Sequence, residues 1–60
     1  MNTTEEFHDE TLQLLDQLVT SVLEAKEAFL ARRYEDAAGY TSSAYSELKR
    51  VDARLNEMWE

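Results

Sequence analysis

Apolar side chains recur at helical spacing through the first half of the chain: Phe7, Leu14, Leu15, Leu18, Val19, Val22, Ala25 and Phe29. Placed at about 100° per residue, they and their neighbours Leu12, Leu23 and Leu30 cover roughly half of a helix circumference. A helix that touches one neighbour needs a narrower stripe, so the width predicts packing against at least two other helices. The second half keeps one helical face through Ala37, Thr41, Ala44, Leu48, Leu55 and Trp59. Thr3 followed by Glu6 has the form of a capping box, which starts helix 1 near Thr4.

Continuing helix 1 past Arg32 would carry Arg33 into the apolar arc, so the chain is expected to reverse at Ala31–Tyr34. Arg32 and Arg33 then fall at the negative end of helix 1, and Glu35 and Asp36 at the positive start of helix 2. The competing break lies at Gly39–Ser43, with glycine as a C-cap and Thr41 or Ser42 as the next N-cap. The helical face that persists across Gly39 favours the first. The expected fold is all-α: residues 1–60 form one domain, an antiparallel hairpin of helix 1 (about 4–32) and helix 2 (about 34–59) that dimerises into a four-helix bundle. A short turn brings Glu10 toward Arg54, and Asp16 toward Arg50 and Arg54. Core and self-interface are expected to be shared among Leu15, Leu18, Val22, Phe29, Leu48, Leu55 and Trp59.

Composition sharpens the expectation of a second copy. Sixty residues without cysteine cannot be stapled by disulfides or thiolate-bound metal, and chains of this size bury only about 60% of their unfolded surface. Charge then narrows the partners. Acids outnumber bases 13 to 6, and residues 1–24 hold six acids with neither Lys nor Arg. No basic stripe is present to displace counterions, which speaks against direct nucleic-acid binding and against an anionic membrane. No signal-like start and no run of about 18 apolar residues is seen, so a cytoplasmic address is expected. The acidic cluster Glu5, Glu6, Asp9 and Glu10 suits a basic protein, including a nucleic-acid-binding protein that carboxylates could engage in place of phosphates.

Catalytic chemistry finds little support. Glu5 and His8 have the Glu-x-x-His spacing of di-iron bundles, but no glutamate midway along either helix completes such a set, and the pair reads as a surface histidine among carboxylates. Ser42, Ser43 and Ser46 have no nearby histidine to act as base, and no glycine-rich phosphate loop is present. Neither enzyme activity nor a cofactor or metal is expected. Tyr40 and Tyr45, at opposite edges of the helix 2 face, are the aromatic candidates for partner contact.

The segment Arg33 to Ala44 resembles the second helix of a tetratricopeptide hairpin, with Tyr34, Ala37, Tyr40 and Ala44 at matching positions. It occurs once, whereas a solenoid stacks several repeats, so the resemblance implies close helix pairing. In size and charge the chain is similar to small inhibitors and regulators carried by phages and other mobile elements. The expected function is that of a non-enzymatic, acidic protein-binding module, an inhibitor or regulator that occupies a partner's surface. The alternative is a structural or chaperone-like hairpin that accepts a partner helix.

Overall fold

The computed structural model describes residues 4–59, which form two helices, α1 (Glu5–Leu30) and α2 (Tyr34–Trp59). Each has 26 residues and is therefore about 39 Å long. They lie against each other as an antiparallel hairpin with extents of 44 × 15 × 11 Å. The all-α hairpin expected from the periodicity is what the chain forms.

The cap of α1 is Thr4, whose Oγ1 accepts from the Phe7 N–H at 3.1 Å. The expected capping role of Thr3 lies outside the described residues. Glu5 and Glu6 occupy the first turn, where carboxylates favour the helix dipole.

The reversal falls at residues 31–33, and its chemistry is local. Arg33 N–H donates to the Ala28 carbonyl at 2.8 Å and Arg32 N–H to the Phe29 carbonyl at 3.0 Å, the paired bonds of a Schellman C-cap. Arg33 then accepts from Ala37 N–H at 3.0 Å, so the residue that closes α1 also opens α2. Arg32 carries the cost: its φ is 62°, a region that glycine adopts freely and other L-residues reluctantly. Arg32→Gly should therefore raise the unfolding free energy by about 1 kcal/mol, read as a higher thermal midpoint at fixed protein concentration. Gly39, the rival break, sits within α2 in the open, with nothing within 4 Å of where a Cβ would stand.

Two rows of residues meet between the helices. On α1 they are Phe7, Thr11, Leu14, Leu18, Ser21, Ala25 and Ala28; on α2 they are Ala37, Tyr40, Ala44, Glu47, Val51, Arg54 and Met58. Steps alternate between three and four, the spacing that keeps one seam in contact along two paired helices. Every described residue that is buried or half-buried belongs to these rows, Leu15 excepted. Four small or medium side chains, Ala25, Ala28, Ala44 and Val51, make the buried apolar core, and no large side chain is fully buried among the described residues. Alanines near the turn let the backbones approach where the three-residue connection holds them close.

Polar residues in the seam are satisfied. Thr11 Oγ1 donates to the Phe7 carbonyl at 2.8 Å, and Ser21 Oγ donates to Glu47 Oε1 at 2.7 Å across the helix pair. Arg54 stands 4.8 Å from the Phe7 ring centre and reaches Glu10 Oε1 at 3.5 Å. Of the contacts anticipated across the hairpin, Glu10–Arg54 forms. Asp16 makes no ion pair among the described residues.

This seam corrects the expected core. Leu18 belongs to it, half-buried, but Val22, Phe29, Leu48, Leu55 and Trp59 are exposed and Leu15 is half-buried beside it. The apolar arc of the sequence is the union of two surfaces: the narrow seam and a second face that the hairpin leaves open.

Candidate functional site

The alternation in the seam sorts the flanking residues. In a right-handed helix the residue after each seam position turns to one side and the residue before it to the other. Because α1 and α2 run antiparallel, the two rows that follow the seam lie side by side on one broad face, and the two that precede it share the opposite face.

The first face is predominantly apolar, with His8, Lys26, Thr41 and Asp52 as the polar members of its rows. On α1 it holds Leu12, Leu15, Val19, Val22 and Phe29; on α2 it holds Tyr34, Tyr45, Leu48, Leu55 and Trp59. All but Leu15 are exposed, Leu48 by 50% and Trp59 by 79%. Contacts confirm that both helices contribute to it. At the turn end the Phe29 and Tyr34 rings meet edge to face, with centroids 5.6 Å apart. At the open end a cleft of about 160 Å³ is lined by His8, Thr11, Leu12, Leu15, Leu55 and Met58. So many exposed large apolar side chains on one face are uncommon on a protein that stays alone in water.

The second face is polar apart from Gly39 and Ala53. It carries Glu6, Glu10, Gln13, Gln17, Thr20, Glu24 and Glu27 from α1, and Asp36, Gly39, Ser43, Ser46, Arg50, Ala53 and Glu57 from α2. Its charge is six carboxylates against one arginine. The outer edge of α1, opposite the seam, carries Asp9 and Asp16 together with exposed Leu23 and Leu30.

The expected acidic cluster is thus divided. Glu6 and Glu10 stand on the polar face, Asp9 on the outer edge beside His8 (Nδ1 to Oδ1 3.6 Å), and Glu5 at the margin of the apolar face. All are exposed at the open end of the hairpin. Glu24, Glu27, Asp36 and Glu57 extend the acidic surface beyond that cluster; their common face becomes visible only when the seam is known. Of the two aromatic candidates, Tyr45 is exposed on the apolar face with Lys49 Nζ 5.3 Å from its ring centre. Tyr40 instead stands half-buried in the seam, and part of it lines a surface hollow with Glu35, Asp36, Gly39 and Ser43. Trp59 and Tyr45 are the most accessible aromatics, at 79% and 63% exposed.

Among the described residues, no three His, Asp or Glu side chains gather into a set that could hold a metal ion. None of the described helices is long and apolar enough to cross a membrane. Comparison with family models, with curated proteins and with solved structures gives no match to this chain.

Proposed function

We propose that the protein is a non-enzymatic interaction module: two hairpins pair through their apolar faces into a four-helix bundle, and the dimer presents its acidic polar faces to a protein partner as an inhibitor or regulator. The observation that carries this reading is the division of the hairpin into one predominantly apolar and one acidic broad face. Two such hairpins stacked on the apolar side place both acidic faces outward.

Size supports the pairing. The extents of 44 × 15 Å give each hairpin a flat footprint of roughly 660 Å² before side chains are added, against about 800 Å² per partner in a stable interface. The thin seam supports it too, since small helical scaffolds commonly supplement a minimal core by self-association. A partner helix laid on the apolar face, the chaperone-like alternative, would use the same surface but has no counterpart to the acidic side.

Charge on the polar face would draw a basic partner, including a nucleic-acid-binding protein, and speed its association. Glu24 and Glu57 are exposed and make no ion pair among the described residues, so Glu24→Lys with Glu57→Lys leaves the hairpin intact. With the partner purified from the native source, this variant should associate about tenfold more slowly at low salt, the difference fading by about 0.5 M as screening shortens below 10 Å. The thermal midpoint should be unchanged. Equal association rates and equal salt dependence in the two proteins would remove the acidic face from the function.

A further inference from the structure

The apolar face is unlike at its two ends. At the turn end the edge-to-face pair Phe29 and Tyr34 projects as a ridge, both rings more than half exposed. At the open end the cleft between His8, Leu12, Leu15, Leu55 and Met58 leaves about 160 Å³ unfilled. An apolar cavity of about 150 Å³ is enough to take a benzene ring. The ridge and the cleft are therefore alike in kind, and the cleft has room for one ring of the pair, but they lie far apart on one hairpin. Residues 34 and 59 are separated by 25 residues of α2, about 37 Å, so no hairpin can fill its own cleft.

Resting on the proposed dimer, we infer that the two hairpins stack with opposite polarity, so that the Phe29–Tyr34 ridge of each copy seats in the open-end cleft of the other. A two-fold axis across the middle of the face, near Val19 and Tyr45, brings this about. It lays α1 on α1 and α2 on α2, antiparallel, with Tyr34 level with Trp59 of the partner subunit. The opposite choice, with both turns at one end, sets ridge against ridge and cleft against cleft and leaves two voids.

Charge selects the same arrangement. The open end, residues 5–12 with 54–59, carries five carboxylates and one arginine, whereas residues 26–36 around the turn carry three of each sign. Stacking with turns together would crowd ten carboxylates at one end of the bundle. Opposite polarity instead brings each acidic end to a neutral one that holds Arg32. Arg32 makes no ion pair among the described residues, and its Nη1 lies 3.3 Å from Tyr34 Oη at the edge of the ridge. That places a guanidinium at the level of Glu5 and Glu6 of the partner subunit.

The chain has no cysteine, so a single spin label can be introduced at one exposed site near the turn, by Glu35→Cys, without altering the apolar face. Dipolar spectroscopy on the full chain, at a concentration where sedimentation reports the mass, reads the distance between the two labels. Opposite polarity separates the two turns by most of the bundle, roughly 35–45 Å from the rise per residue. A dimeric mass with that distance is the expected result. A dimeric mass with labels closer than roughly 30 Å would overturn the polarity while leaving the dimer standing. A monomeric mass with no dipolar coupling would overturn the dimer and, with it, this inference.

Discussion

Leu48→Glu should abolish self-association at micromolar concentration, raising the dimer dissociation constant about a thousandfold. Leu48 stands in the middle of the apolar face, half exposed in the isolated hairpin, and lies outside the seam that joins α1 to α2. In the proposed dimer both copies would carry a carboxylate into an apolar contact with no evident partner. A penalty of about 2 kcal/mol per copy gives about 4 kcal/mol in all, or three decades in affinity. Sedimentation equilibrium across 1–100 µM (about two decades, enough to resolve such a shift) distinguishes the two proteins. Wild type should show a dimer whose thermal midpoint climbs with concentration, while the variant should show a monomer whose midpoint does not. A wild-type monomer over that range would sink the dimer, and a variant of undiminished dimeric mass would move the interface elsewhere. Val22→Glu, at the equivalent place on α1, should behave in the same way. A charge at Leu18 should differ, because Leu18 belongs to the seam: the hairpin itself would open.

The second large effect is inside the hairpin. Val51→Asp should unfold the protein at 25 °C. Val51 is 2% exposed, the most deeply buried described residue of α2. A carboxylate there would be desolvated without an ion-pair partner at a cost of several kcal/mol, unless it takes up a proton. A chain of this size holds only about 3–5 kcal/mol in reserve. Far-UV circular dichroism should show most of the helical signal gone. Ala53→Asp supplies the comparison: the same side chain two residues later falls on the exposed polar face and should shift stability by less than about 0.5 kcal/mol. If both variants keep full helicity, the seam is not where the fold is held.

Local signals along the chain were enough to read the two helices and the place where they reverse. Helix-forming residues without proline, a threonine before α1, and the clash of Arg33 with the apolar arc are all local signals, and local signals are what a single chain displays. The seam, by contrast, depends on how the two helices pair. It runs through Thr11, Ser21, Glu47 and Arg54 as well as through leucines, because a hydroxyl bonded to the carbonyl below it, or to a carboxylate across the pair, can be buried at little cost. Small alanines rather than the large apolar residues hold its closest part, since two backbones must come near each other at the turn. A hydrophobicity pattern ranks Val22, Phe29, Leu48 and Trp59 above Ala28 and Ser21 and so points between the two faces. Which carboxylates share a surface followed the same division. Glu6, Glu24 and Glu27 join Asp36 and Glu57 only because α1 and α2 pair antiparallel along that seam, a relation between helices that no spacing within either helix contains.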